Sequence, residues 1–155
     1  FWMMSGCLAG IISCAAGLDL WWPPLAFAVG FIGGAAAKPC ATILENMGID
    51  DAVGAVTIHG TIGAWGVLAV GIFCSGYPAL SGDAGVATVS FFGQLIGMIV
   101  MFLIGFVPGY VISWIFNQIN FLRADEEDER AGLDPSKVPA QAYPEGISPS
   151  SSPAE

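Results

Sequence analysis

The sequence predicts an all-α membrane protein, and both composition and residue pattern lead to this class. Hydrophobic residues make up 55% of the 155 residues, charged residues only 11%, and the mean hydropathy is +0.71. A soluble domain carries about a quarter charged residues, so this chain has too few polar groups to cover a surface in water, and a soluble enzyme is excluded. The long apolar runs lack the period of two that strands show, and in lipid such a backbone must satisfy its hydrogen bonds inside helices.

Four apolar segments predict four transmembrane helices, since a helix needs about 20 residues to cross the hydrocarbon. They cover about residues 1–18, 21–44, 52–74 and 89–122. The second segment has Pro23-Pro24 close to its start. The fourth is too long for a perpendicular span, so we expect it to tilt or to kink at Pro108-Gly109. Phe1 already lies in an apolar run without the charged start of a signal peptide. Either Met3 or Met4 is the native start or the chain is the C-terminal piece of a longer protein, and we expect the second.

Residues 123–155 form a polar tail that differs in composition from the rest of the chain. The tail carries eight acids and three bases together with half of the ten prolines. Its acidic run is interpreted as a solvated face, and its Pro- and Ser-rich distal part is predicted to be disordered. Gly132 and Leu133 break the charged run and predict a turn followed by an apolar anchor.

The few basic residues predict the orientation in the membrane. Lys38 is the single Lys or Arg before Arg123, and because two spans separate these residues they face the same side. The positive-inside rule places that side, and the tail with it, in the cytoplasm. The net charge of −9, from four bases and thirteen acids, excludes a nucleic-acid partner, whose phosphates need the opposite sign.

The cysteines are interpreted as small buried residues rather than disulfide partners or zinc ligands. They lie far apart in apolar runs and show no CxxC spacing; they are Cys7, Cys14, Cys40 and Cys74. The sequence therefore predicts neither a metal site nor a cofactor.

The one histidine of the chain, His59, is the main candidate for chemistry. It follows Asp51 by eight residues, which is roughly 12 Å along a helix, so it lies inside the hydrocarbon. An ionisable side chain at such depth is a functional candidate by default; the alternative is a neutral histidine hydrogen-bonded to a neighbour. Gly60, Gly63 and Gly66 are expected on one face, which would place His59 beside a packed seam. A neutral imidazole donates from one nitrogen and accepts at the other, which suits a small hydrogen-bonding solute or a proton relay.

The other polar residues of the apolar segments have ordinary structural interpretations. Asp50 and Asp51 begin the helix of His59, where a carboxylate accepts hydrogen bonds from free N–H groups and complements the helix dipole. Serine and threonine hydroxyl groups often form hydrogen bonds to the backbone of their own helix, so alone they do not indicate a functional site. The hydroxyl residues expected to face an interior are Ser5, Ser13, Thr57 and Thr61.

Three motifs in order resemble the ammonium transporter family, which includes the Amt, MEP and Rh proteins. Residues 49–73 read IDDxxGxxxxHGxxGxxGxxxxGIF, and residues 5–10 read SGCLAG, similar to an earlier helix of the family. The tail resembles the family's cytoplasmic tail at Arg123, Glu126-Glu127, Glu129, Gly132-Leu133-Asp134 and Tyr143. Together these motifs cover nearly the whole chain.

The resemblance implies the last four helices of an eleven-helix bundle. It implies that His59 is the second of two pore histidines, that Ser5 and Leu8 line the pore, and that Asp51 supports the helix start beside Asp50. Ammonium would be captured outside and deprotonated, and ammonia would pass the paired imidazoles; methylammonium would serve as an analogue. It further implies a homotrimer in the lipid bilayer with a cytoplasmic C-terminus. A PII-type signalling protein is the implied partner of the tail, through Arg123, Glu126, Gly132, Leu133 and Asp134.

The tail departs from the family pattern GLD-x-x-x-H-G-E-x-A-Y. From Gly132 to Tyr143 this chain replaces the histidine, glycine and glutamate and introduces Pro139, which affects regulation more than transport.

Two other classes of function stay open. One is an ammonium-binding membrane sensor that signals through its tail without conducting. The other is a small membrane subunit of a redox enzyme.

Overall fold

The structure, a computed structural model, describes residues 1–77 and 88–133 as a succession of helices. These are α1 (Trp2–Ala15), α2 (Pro23–Asn46), a π-helix (Val56–Ile62) that continues into α3 (Gly63–Phe73), α4 (Phe91–Gln118) and α5 (Glu126–Ala131). The chain divides into two compact units, residues 1–105 and 106–155. The predicted disorder of the distal tail falls outside the described residues.

Three helical runs of the described part are long and apolar enough to cross a membrane: Pro23–Asn46, Val56–Phe73 and Phe91–Gln118. The first predicted span corresponds to α1, which is apolar but has only 14 residues, fewer than the ~20 that a crossing needs. The chain is thus a multi-pass, all-α membrane protein.

The proline residues occupy two kinds of position in these helices. α2 begins at Pro23, where the missing N–H costs nothing because the first helical N–H groups have no intrahelical acceptor. Pro39 lies inside α2 and Pro108 inside α4, and both helices continue through them. The expected kink at Pro108-Gly109 therefore stays a prediction.

Glycine residues allow α1 and α2 to pack backbone against backbone. A Cβ atom added at Gly10 would lie 3.3 Å from the carbonyl oxygen of Gly30, and one added at Gly34 would lie 3.0 Å from that of Gly6. The residue numbers rise on one helix as they fall on the other, so the two helices run antiparallel. Small residues four apart on both partners permit this approach in lipid, where close packing replaces the hydrophobic driving force.

Ser13 is the point at which α1, α2 and α3 meet. It is fully buried, and its hydroxyl donates a 2.8 Å hydrogen bond to the carbonyl of Ala9. A Cβ atom at Gly33 would collide with the Ser13 hydroxyl, and one at Gly66 would lie 2.5 Å from the Ser13 carbonyl oxygen. No side chain larger than hydrogen therefore fits at either glycine unless the helices separate.

Polar contacts hold both ends of the α1–α2 pair. At one end Trp21 Nε1 donates to the carbonyl of Cys14 at 2.9 Å, and Cys14 Sγ donates to the carbonyl of Ala26 at 3.2 Å. At the other end Lys38 Nζ lies 5.2 Å from the ring centroid of Trp2, within the range of a cation–π interaction. Lys38, the cation of the second span, therefore interacts with an aromatic ring of α1.

The Asp51 carboxylate fixes the start of the π-helix. Its Oδ1 accepts from the Val56 N–H at 2.9 Å, and its Oδ2 accepts from both the N–H and the hydroxyl of Thr57 at 2.8 Å. Gly54 has a φ of +74°, a conformation that glycine adopts without steric cost, and it turns the chain so that Asp51 faces these donors. Desolvation alone would raise the pKa of Asp51, but the hydrogen bonds from Thr57 and Val56 outweigh it and lower the pKa.

None of the 28 residues of α4 is buried, whereas α1, α2 and α3 each have several buried residues. Its N-terminal end meets α3, where a Cβ at Gly71 would lie 2.9 Å from the Cα of Phe91 and 3.2 Å from the Cβ of Gln94. Exposed apolar residues cover the rest of α4, as expected for a helix that faces lipid or further protein.

Replacing Gly33 with Ala is expected to destabilise the protein by about 1–3 kcal/mol, because the added methyl group overpacks the Ser13 contact. The measurement is thermal unfolding in detergent micelles. Gly105→Ala is the matched control, since open space surrounds Gly105 within the chain and alanine favours the helix. Equal stability of the two variants would contradict the packing described at Ser13.

Replacing Asp51 with Asn is expected to destabilise the protein in a manner that depends on pH. Because folding lowers the pKa of Asp51, its stabilisation is complete above the unfolded pKa of about 3.9 and is lost as pH falls through the lower, folded pKa. The gap in melting temperature between wild type and variant should therefore be widest at neutral pH and should close below pH ~4. Asp50→Asn is the control and should leave a much smaller gap; a pH-independent gap for Asp51→Asn would argue against a charged cap.

Candidate functional site

His59 is the fourth residue of the π-helix, near one end of the span Val56–Phe73. Its side chain is exposed, whereas the sequence placed it beside a packed seam. The seam and the histidine are separate: Gly66 packs against Ser13, while Gly60 and Gly63 share an open groove with His59. The reason is geometric, since a spacing of three residues drifts by about 60° per step around an α-helix, and the π-helix changes the turn again.

The groove that His59 lines has a volume of about 790 Å³ and lies between the π-helix with α3 on one side and the start of α4 on the other. Glycine and small apolar residues form the first wall: Gly60, Gly63, Ala64 and Val67. Residues of α4, most of them with larger side chains, form the second wall: Gln94, Gly97, Met98, Ile99, Met101 and Phe102. His59 and Gln94 are the two side chains of this lining that can form hydrogen bonds, so the groove is an apolar passage with few polar positions.

The residues before His59 determine which way it faces. Thr57 is fully buried and bonded to Asp51, and Ile58 is 2% exposed. Ile58 packs in a core cluster with Ala9 of α1 and Ala37 of α2. With residues 57 and 58 held on the inner side of the helix, His59 emerges on the open side.

Ser5 and Leu8 lie about one turn apart on α1 and differ in exposure. Ser5 is 8% exposed and Leu8 is 41% exposed. α1 meets the π-helix through Ala9 and Ile12, which pack with Ile58. The hydrogen bonds and core clusters of the described residues do not bring Ser5 or Leu8 to His59, so their role as pore lining stays a prediction.

Asp51 is placed where the sequence expected it, at the start of the histidine's helix, and Asp50 beside it is exposed. A second open space, of about 450 Å³, adjoins this turn and is lined by Glu45, Asp50 and Asp51 together with Phe1 and Trp2. Within the described residues, no group of three or more His, Cys, Asp or Glu side chains has the arrangement of a metal site.

The tail residues named from the sequence lie on and around α5. Arg123 forms two hydrogen bonds with Glu129, which raise the pKa of Arg123 and lower that of Glu129. Glu126 pairs with Arg130 one helical turn further on.

The turn after α5 lies at Gly132, with a φ of +91°, and Leu133 follows with 46% exposure. Asp134 and Tyr143 lie outside the described residues. The structure thus contains a short helix held by ion pairs, and the regulatory role stays a prediction.

Sequence reasoning missed two features of this site. It expected Thr57 to face an interior but missed its bond to Asp51, because that bond spans a turn that hydropathy does not reveal. It also omitted Gln94, although an amide inside a long apolar run is a signal that could have found it. The Asp51–Thr57 bond depends on the turn between those residues, and the place of Gln94 in the groove depends on how α4 lies against α3.

The chain matches the model of the Ammonium Transporter Family over residues 1–143. It is 34% identical over 148 residues to the ammonium transporter Amt2 of Archaeoglobus fulgidus, covering 90% of this chain and 32% of that protein. It is 32% identical to Amt2 and 35% identical to Amt1 of Methanocaldococcus jannaschii, with 91% of this chain covered in each case and 33% and 35% of those proteins. No solved structure gives a significant match to the chain.

The chain spans about a third of the length of these curated relatives. The relatives are named as transporters and not as enzymes. The match nevertheless covers the π-helix with His59, the Asp51 cap and all five α-helices of the described structure. This all-α, multi-pass membrane chain therefore belongs to the ammonium transporter family.

Proposed function

We propose that this chain is the C-terminal part of an ammonium transporter and that His59 lies on the path of the conducted ammonia. The single observation that carries the proposal is the position of His59, the one histidine of the chain, within a candidate membrane span and on an open apolar groove. The names of the relatives support ammonium as the substrate.

The chemistry of the groove suits a small neutral solute. A bare cation is costly inside hydrocarbon, whereas ammonia carries no charge and needs only one or two hydrogen-bond partners. His59 can offer a donor or an acceptor, and the glycine and apolar walls beside it admit a small molecule without binding it tightly. Selectivity would then come from the width and lining of the passage, with deprotonation of ammonium occurring before ammonia enters it.

The remaining parts of the mechanism belong to the same proposal. A second histidine, supplied by a part of the protein that precedes Phe1, would complete a pair with His59, and Ser5 and Leu8 would line the pore beside them. Ammonium would be captured on the outer side. The complete protein would have eleven helices, assemble as a homotrimer and keep its C-terminus in the cytoplasm.

The tail is the proposed contact for a PII-type signalling protein. Arg123 and Glu126 each take part in an ion pair around α5, and Gly132 provides the turn that precedes Leu133. A short helix held in this way presents a defined charged surface at the membrane boundary. The proposed role of Asp134 rests on the family motif alone.

Replacing His59 with Ala in the full-length protein is expected to reduce ammonia conductance at least about tenfold, because the path loses its hydrogen-bonding group. The measurement is ammonium- and methylammonium-driven flux in proteoliposomes at equal protein content. Asn117→Ala, at the distant end of α4, is the control and should conduct like the wild type. Unchanged conductance and selectivity in His59→Ala would contradict the proposal. Wild-type protein that binds ammonium without flux would favour a sensor instead.

A further inference from the structure

The buried threonine two residues before His59 has more hydrogen bonds than helix formation requires. Thr57 is 0% exposed. Both its N–H and its hydroxyl donate to the same oxygen of Asp51, Oδ2, each at 2.8 Å. An N-terminal cap needs only the N–H bond, so the hydroxyl adds a second link between the loop carboxylate and a side chain on the inner side of the helix.

The hydroxyl link fixes the rotation of the π-helix about its axis. A bond to the backbone N–H alone holds the end of a helix, whereas a bond to a buried side chain also determines which side faces the loop. Ile58 supports the same setting, because its side chain packs in a core cluster with Ala9 and Ala37, and its Cδ1 would lie 3.4 Å from a Cβ atom added at Gly54 in the capping turn. His59 follows directly, and its exposure on the groove is the consequence of this setting.

The π-helix makes such a restraint necessary. Its i→i+5 hydrogen bonds are rare and usually confined to a single turn at functional sites, and the segment of seven residues could relax toward α-helical geometry. Any such relaxation would rotate His59 relative to Thr57 and Ile58. The Asp51–Thr57 contact ties a side chain near the start of the π-helix to the preceding turn. That turn is fixed by the positive φ of Gly54.

We propose that Thr57 is a positioning residue for His59: its hydroxyl, bonded to Asp51, holds the π-helix at the rotation that directs the imidazole into the groove. The functional part of this inference rests on the proposed conduction of ammonia past His59. The structural part, the direction of the imidazole, does not depend on transport.

The test compares Thr57→Val and Thr57→Ser in the full-length protein. Valine keeps the branched shape and removes the hydroxyl, while serine keeps the hydroxyl. Thr42→Val is the matched control, because Thr42 is an exposed threonine of α2. Histidine-selective ¹⁵N NMR in lipid nanodiscs reports the imidazole environment, with the His59 signals assigned from their loss in His59→Ala.

Thr57→Val is expected to shift the His59 ¹⁵N signals and to lower ammonia flux by about tenfold, since a group displaced by about 1 Å loses much of its effect. Thr57→Ser should retain the wild-type signals and at least half of the flux, and Thr42→Val should change neither. A purely structural role would lower the melting temperature of Thr57→Val while leaving the His59 signals of the folded protein in place, and that result would overturn the proposal.

The NMR arm also separates this inference from the proposed function. If His59→Ala conducts normally while Thr57→Val still shifts the imidazole signals, positioning is correct and conduction past His59 is wrong. If His59→Ala abolishes flux but Thr57→Val leaves both the signals and the flux unchanged, the proposed function stands and the positioning role of Thr57 is rejected.

Discussion

The close approach of three helices at Ser13 is the constraint on which the rest of the first unit depends. Gly33 of α2 and Gly66 of α3 lie so near Ser13 that only hydrogen fits at either position. In a bilayer, moving apolar side chains from lipid to a helix interface gains little free energy. Helices therefore associate where their backbones can pack closely. Because α1 and α2 pack at this distance, they form a fixed surface for the π-helix, whose Ile58 and Ile62 pack against Ala9 and Ala37.

Two different kinds of contact hold the π-helix at Thr57 and Ile58, two of its three buried residues. Thr57 is bonded to the carboxylate of a preceding turn, and Ile58 is packed between α1 and α2. Neither contact involves His59, yet together they leave His59 on the side of the helix that faces the groove. Thr57 and Ile58 thus restrain the backbone of the π-helix, while the His59 side chain, which would meet a solute, remains accessible.

Much of the site could be predicted along the helix of His59, and less of it between helices. The distance from Asp51 to His59, the depth of the histidine in an apolar run and the capping role of Asp51 follow from spacing and from the free N–H groups at a helix start. The packed seam expected beside His59 did not follow, because Gly66 packs against Ser13 while Gly60 and Gly63 line the groove. Gln94 was missed because its position opposite His59 depends on how α4 packs on Gly71, and hydropathy gives no information on that.

The sequence by itself determined the helical membrane class and the family motifs, because hydropathy and residue spacing act locally along the chain. It also determined that the one histidine of the chain lies inside a long apolar segment. Only the tertiary structure decided that the third span begins as a π-helix and that Ser13 is the contact point of three helices. It also decided that Thr57, rather than a residue of the groove, bonds Asp51. Those features depend on which backbone groups meet across helices, and a sequence pattern is nearly the same whether an N–H group bonds four or five residues back.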